Sequence, residues 1–239
     1  MVTEESFKNK KIMIVAAHPD DELLGLGATM HKLIENQQVK THVVILGEGI
    51  TSRADQRDPD EWKEELDIHR QNIREAQDCI GYGSVKTYDF PDNRFDSVAL
   101  LDLIKAIEKE KSEFNPEIIF THHGGDLNID HQRTFEAVMT ACRPMKDEVV
   151  RSIFTFETPS ATEWKASTDT NPFTPNIFIE ISEKDLQAKI DGMEKYQFEK
   201  RGYPHPRSPK ALKIRAQLRG LTVGFEYAEA FCLVRNVSG

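Results

Sequence analysis

Short apolar runs that alternate with helix-period patterns predict an α/β fold. The expected form is a Rossmann-like, doubly wound, mostly parallel sheet with helices on both faces and a C-terminal β/α extension. Two observations carry this. Strand-like and helix-like segments alternate as β, α, β, α through the first two thirds of the chain. Two of the strands end in clusters of histidine and acid, and ligands of such sheets bind at the carboxyl ends of strands.

The elements follow in order. Residues 12–17 read as a buried strand, and Leu23, Leu24, Leu26, Met30, Leu33 and Ile34 then recur near helical spacing. Residues 41–46 form a second strand, followed by a polar loop over 47–60. A helix over 61–80 is ended by Gly81 and Gly83, and a short strand covers 85–90. A helix over 98–114 closes at Asn115-Pro116, before a strand over 117–121 and a helix over 133–142. The last third reads as strands over 151–157 and 176–181 joined by a long polar loop, then a helix over 184–199. Three prolines between 203 and 209 forbid a helix there. A helix over 211–221 and a closing strand over 230–234 complete the chain. No internal repeat or linker interrupts it, so one domain over 1–239 is expected.

A length of 239 residues suffices for a sizeable core, and 38% hydrophobic with 30% charged residues is ordinary for a soluble globular protein. The net charge of -9 argues against non-specific binding to nucleic acid or an anionic membrane. No apolar stretch approaches the roughly 20 residues that span a bilayer. The N-terminus lacks the apolar region of a signal peptide. Cys79, Cys142 and Cys232 are odd in number and far apart, which indicates neither a disulfide framework nor a thiolate metal site. A cytoplasmic address is the expectation.

The chemistry gathers in two segments. Ala17-His18-Pro19-Asp20-Asp21-Glu22 stands where the first strand ends and a helix begins. His18 and Asp21 are spaced to converge on one point, and Asp20 can face the same space. The plain alternative is an Asp20 or Asp21 helix cap beside a loop histidine. The second segment, Thr121 to His131, contains His122, His123, Asp126, Asn128, Asp130 and His131 and follows the fourth strand. A parallel sheet puts both segments on one edge. His18, Asp21 and His131 would then form a His2Asp site of the kind that leaves one position for water. One of His122 and His123 could orient a ligand from behind.

Two other motifs fail. Asp126-x-Asn128-x-Asp130 starts like a calcium loop, but its sixth position is His131 and its twelfth Ala137. Gly25-x-Gly27 imitates a dinucleotide fingerprint, but Met30 takes the third glycine position and carboxylates occupy the phosphate end. Close packing of helix on sheet explains these glycines better. Trp62 and Trp164 read as packing or rim residues, with Trp164 in a loop that could cover the site.

Ala17-His18-Pro19-Asp20-Asp21-Glu22 together with Asn128-Ile129-Asp130-His131 closely resembles the PIG-L/LmbE-like family of zinc-dependent N-acetylglucosaminyl deacetylases. Ser52-Arg53, Phe90-Pro91-Asp92 and Pro204-His205-Pro206-Arg207-Ser208 extend the resemblance over nearly the whole chain. It implies Zn2+ on His18, Asp21 and His131, with Fe2+ or Mn2+ as possible substitutes, since such a site accepts several divalent ions. It also implies Asp20 as general base, and Arg53 and Asp92 as sugar contacts. Arg207 stands in a loop beside the expected site, as a further substrate contact or as a plain surface cation. The implied substrate is an N-acetylated sugar, and a homo-oligomer is possible.

One position departs from the family pattern. Many members place a histidine where this chain has Asn128, and an amide can donate a hydrogen bond to an oxyanion but no proton. Either Asp20 returns the proton it takes, or His205 supplies it, with Asp130 orienting His205 toward the substrate. The plain alternative for His205 is a solvent-exposed loop residue. The expected activity is therefore removal of acetyl from an N-acetylated amino sugar or its conjugate. The alternatives are an amidase of another N-acyl sugar or thiol–sugar conjugate, and a Rossmann-like binding module without turnover.

Overall fold

The computed structural model describes residues 3–238. Its elements are β1 (Lys11–Ala16), α1 (Asp21–Gln37), β2 (Lys40–Gly47), α2 (Lys63–Ile80), β3 (Ser84–Phe90), α3 (Leu100–Phe114), β4 (Ile118–His122) and α4 (Ile129–Ala141). There follow β5 (Ser152–Phe156), β6 (Ile177–Glu180), α5 (Glu183–Lys195), α6 (Pro209–Val223) and β7 (Ala228–Asn236).

The strands form one sheet in the order β3-β2-β1-β4-β5-β7-β6. The first five run parallel, and β7 pairs antiparallel with both β5 and β6. The expected doubly wound sheet is therefore present, and its C-terminal extension is the antiparallel edge. The chain lays β2 and β3 to one side of β1, then crosses back through α3 to lay β4 on the other. That reversal opens a crevice at the carboxyl ends of β1 and β4, where ligands of such sheets bind.

Alternate residues of each strand face opposite cores. Ile12 and Ile14 join Leu23, Ile73 and Met193 on one face. Met13 and Val15 join Leu103, Ile107 and Val138 on the other. Each fully buried Ile, Leu or Phe contributes about 1.5–3 kcal/mol. The edge strand β3 is only half-buried and its sequence, Ser84-Val85-Lys86-Thr87, is correspondingly mixed.

α1 is broken at Leu26, where φ is -153° and ψ 15°. The flanking glycines have a packing role, since a Cβ on Gly25 would meet the Phe156 ring at 2.2 Å. The break leaves two backbone groups for side chains to satisfy. Lys189 Nζ donates to the Leu24 carbonyl at 2.8 Å, and Glu229 Oε2 accepts from the Thr29 N–H at 2.7 Å. Lys189 and Glu229 are buried and paired with each other at 2.6 Å.

Several boundaries differ from the pattern-based expectation. α4 starts at Ile129 rather than at 133, because the Asn128 side chain caps it by accepting the Asp130 N–H at 2.8 Å. Asp130 and His131 thus lie on the first helical turn. α5 stops at Lys195 rather than 199, where Tyr196 turns inward and donates to Glu22 Oε1 at 2.6 Å. β7 runs longer than 230–234 because it serves two partner strands.

Candidate active site

β1 ends at Ala16, and the next five residues turn the chain from strand to helix. Asp20 adopts φ 105°, a left-handed conformation that costs a non-glycine residue roughly 1–3 kcal/mol. Two contacts hold it there. Its N–H donates to Glu22 Oε2 at 3.1 Å, and its carbonyl accepts from Leu23 and Leu24 at 3.0 and 2.9 Å. The backbone of Asp20 therefore caps α1, and its side chain takes no part. Asp21 Oδ2 accepts the His18 N–H at 2.8 Å instead of capping the helix. The plain capping reading of these two acids is thus excluded.

β4 supplies the other half. His18, Asp21 and His131 are all buried, with one ligand atom from each lying within 4.8 Å of the others. His18 Nδ1 and His131 Nε2 each stand 3.4 Å from Asp21 Oδ2. The far nitrogens face carboxylates. His18 Nε2 meets Asp130 Oδ2 at 2.9 Å, and His131 Nδ1 faces Asp126 Oδ1 at 3.2 Å. A proton on each far nitrogen leaves the inner nitrogens as lone-pair donors toward one point. Carboxylates commonly fix ligating histidines in this way. Two imidazoles and a carboxylate at this spacing fit a divalent cation such as zinc.

Electrostatics agree with a site short of positive charge. Burial pulls the His131 pKa down, but Asp21 and Asp126 raise it to about 9. His18 is likewise raised well above the ordinary histidine range, Asp130 and Asp21 overcoming burial. Behind His131, His122 stacks at a ring separation of 3.9 Å. Its Nε2 accepts the Ala17 N–H at 2.9 Å, so its proton lies on Nδ1, beside Thr158 Oγ1 at 3.1 Å. Burial and His131 lower its pKa to about 4, which keeps it neutral. His123 instead reaches the Asn171 carbonyl at 3.0 Å.

Above this floor lies a cavity of about 600 Å³ whose walls include His18, Asp20, Arg53, Asp92, Asn128, His131, His205 and Arg207. The structure thus brings every sequence-predicted site residue to one crevice except Asp21 and Asp130, which lie buried just beneath it. Asp92 accepts from the Ser52 N–H and hydroxyl at 3.1 and 2.6 Å, and its other oxygen is 3.4 Å from His18 Nε2. Arg207 donates to Asp20 at 2.7 Å, to Glu199 at 2.8 Å and to Ser160 at 2.8 Å. Arg53 pairs with the other oxygen of Glu199 at 2.5 Å. Burial pushes the Asp20 carboxyl well above the ordinary carboxylate range, with the Arg207 cation opposing.

One expectation needs correction. Asp130 does not orient His205: one of its oxygens is taken by His18 and the other by the Phe95 N–H at 2.8 Å. A fully buried carboxylate with both oxygens committed has nothing left for a loop across the crevice. Asn128 lines the crevice and also caps α4; one of its two amide N–H bonds donates to Asn93 Oδ1 at 2.8 Å. His205 is held by its own loop, where Nδ1 accepts the Arg207 N–H at 3.2 Å and the ring packs edge-on against Trp164.

The sequence assigned no role to some of the site residues. Asp126 supports His131 and accepts the Thr162 hydroxyl at 2.6 Å. Glu199 joins Arg53 and Arg207 from the loop after α5. Glu22 belongs to the first motif, but its support of Asp20 depends on Tyr196. His69 lines the cavity from α2, and neither ring nitrogen has a hydrogen-bond partner among the described residues. Burial lowers its pKa to about 4.

Comparison with known proteins points the same way. An uncharacterized deacetylase, YaiS, of Escherichia coli strain K12 is 28% identical over 196 residues, covering 80% of this chain and 92% of its own. The zinc-inhibited form of teicoplanin deacetylase Orf2 superposes with a TM-score of 0.75 at 16% identity, covering 96% of this chain and all of its own. A 4-carboxy-2-hydroxymuconate hydratase from Pseudomonas putida KT2440 shares the fold with a TM-score of 0.69 at 19% identity, covering 96% and 98% of the two chains. The sequence profile described as PIG-L, GlcNAc-PI de-N-acetylase, matches residues 13–142, from the heart of β1 to the end of α4. That span exceeds half of the chain and contains both halves of the crevice floor, so the chain belongs to the PIG-L family of deacetylases.

Proposed function

We propose that this chain is a divalent-metal-dependent hydrolase that removes acetyl from an N-acetylated amino sugar or its conjugate. The observation that carries the reading is Asp20: a carboxyl held at a left-handed backbone position, beside the His18, Asp21 and His131 donors, and free of capping duty. The family description and the polar, Arg- and Asp-lined cavity support a sugar as substrate.

A cation on His18, Asp21 and His131 supplies Lewis acidity and acidifies water when bound. The residues of the chain do the rest. Asp20 accepts the proton of the water whose oxygen adds to the acetyl carbon, as general base. As the carbon–nitrogen bond breaks, Asp20 returns the proton to the departing amine. The products are acetate and the free amino sugar. Arg207 keeps the Asp20 carboxyl oriented through its hydrogen bond to Oδ2. His205 is neutral, since burial and the neighbouring Arg207 and Arg201 lower its pKa. With Nδ1 accepting, its Nε2–H is a donor for the oxyanion that develops on the acetyl oxygen. Arg53, Asp92 and Glu199 offer donors and acceptors to sugar hydroxyls.

The test is acetate release from a panel of N-acetylated sugars by zinc-loaded protein, with chelated protein as control. Metal-dependent acetate release supports the proposal. A panel without release, or release unaffected by chelation, overturns it. The same panel separates hydrolysis from the hydration chemistry that the shared fold also supports elsewhere.

A further inference from the structure

A carboxyl takes a proton only where its backbone aims it, and Asp20 is aimed from φ 105°. Rotation about its N–Cα bond moves the Cβ, and with it the carboxyl, relative to the His18, Asp21 and His131 donors. The direction of the Asp20 N–H therefore decides where the base stands. That N–H donates to Glu22 Oε2 at 3.1 Å, and the other Glu22 oxygen accepts the Tyr196 hydroxyl at 2.6 Å. We infer that Tyr196 is a positioning residue for the general base, acting through the Glu22 side chain on the backbone of Asp20.

The first support is the path itself. A left-handed aspartate persists only where its surroundings over-determine it. The Asp20 carbonyl is held by α1, which supplies the Leu23 and Leu24 N–H groups at 3.0 and 2.9 Å. Its N–H depends on a side chain, and a glutamate has several torsions to vary. The Tyr196 hydroxyl fixes that glutamate at its far oxygen. Both side chains are buried, so water does not replace the contact.

The second support is the turn that carries Tyr196. The Tyr196 carbonyl accepts the N–H groups of Glu199 and Lys200 at 3.0 and 2.9 Å, which ties the residues after α5 into one unit. Glu199 Oε2 accepts Arg207 Nη1 at 2.8 Å, and the same Nη1 donates to Asp20 Oδ2 at 2.7 Å. One turn thus grips Asp20 twice, at its backbone through Glu22 and at its carboxyl through Arg207. The third support is placement. Tyr196 does not line the crevice, so a substrate there does not touch it and any effect on turnover passes through neighbours.

The inference rests on the reading of Asp20 as base, and a measurement without turnover keeps the two apart. Amide hydrogen exchange followed by NMR reads the Asp20 N–H directly. In Tyr196→Phe this exchange should speed by at least about tenfold more than that of the Ile14 amide, which reports global unfolding. Equal acceleration of both, or none, overturns the inference whether or not the protein is a deacetylase. Faster Asp20 exchange in a protein whose wild type releases no acetate leaves the hold on Asp20 standing and sinks the deacetylase reading.

Acetate release then tests the consequence. Tyr196→Phe should lower kcat about 10–100-fold, with KM and zinc affinity within about twofold of wild type. Tyr82→Phe is the matched control, since its hydroxyl donates to the Glu22 backbone carbonyl at 3.0 Å, off the path to the Asp20 N–H. It should keep the wild-type kcat. Glu22→Leu with Tyr196→Phe replaces both partners by apolar groups, so neither strands the other. The double variant should lose no more kcat than Glu22→Leu alone, because Tyr196 acts through Glu22. Additive losses, an equal loss in Tyr82→Phe, or a wild-type kcat in Tyr196→Phe would overturn the assignment.

Discussion

Asp20 can act as a base because its backbone and its side chain have separate duties. The backbone, at φ 105°, closes the first turn of α1, which frees the carboxyl for Arg207 and the crevice. Asp20→Asn preserves shape and metal donors but cannot take a proton. Metal content by elemental analysis should stay at the wild-type level while kcat falls by about 10²–10⁴-fold. The residues behind the ligands are testable in the same way. Asp130→Ala removes the acceptor for His18 Nε2 and Asp126→Ala the one facing His131 Nδ1. Each should weaken zinc affinity about 10–100-fold in a chelator competition, with the fold retained by circular dichroism. His69 is buried with both ring nitrogens unpartnered among the described residues, so a ligand hydroxyl is its natural complement. His69→Phe should raise KM by about tenfold and leave kcat nearly unchanged, in steady-state acetate release.

At the scale of elements, the break in α1 decides where the first turn points. Lys189 and Glu229 close the broken ladder from α5 and β7, so distant elements hold the turn that carries Asp21. Lys189→Met strands a buried carboxylate and should lower unfolding free energy by about 3–5 kcal/mol in urea titrations, whereas Lys189→Met with Glu229→Gln should recover part of it. α6 is tied to the end of β5 through Glu157. Burial alone would raise this carboxyl, but its bonds to Arg219 and Arg215 hold it below the ordinary glutamate range. A depressed folded-state pKa contributes stability above the unfolded value of roughly 4.3, and that contribution is lost as pH falls through the folded value. Urea midpoints should therefore drop below about pH 4, and the drop should be shallower in Glu157→Gln.

At the scale of the whole molecule, the candidate ligands His18, Asp21 and His131 come from two distant chain segments, at the junctions after β1 and β4. A cation bound there holds the folded state and not the unfolded chain. Zinc at a hundredfold excess over its dissociation constant should add about 2.7 kcal/mol of stability. Thermal melts should show that gain in wild type and no difference between zinc and chelator in His18→Ala or His131→Ala.

Much of this was readable in one dimension. The period of the apolar residues identified the parallel strands and their helices, because the burial pattern of a doubly wound sheet repeats locally along the chain. The motif around His18 and the one ending at His131 were legible because each lies within a few residues, where backbone geometry alone sets their proximity. The support of those residues was not legible. Asp130 could have served His205 as easily as His18 until the sheet order brought β1 against β4. Glu199, Ser160 and His69 come from separate elements, and nothing near them in sequence marks them as partners of Arg207 or of the crevice. The chain by itself determined which atoms could bind a metal and move a proton. Tertiary structure alone decided which acid holds which histidine and which groups stay unpaired, because hydrogen bonds and burial depend on distances that only long-range packing sets.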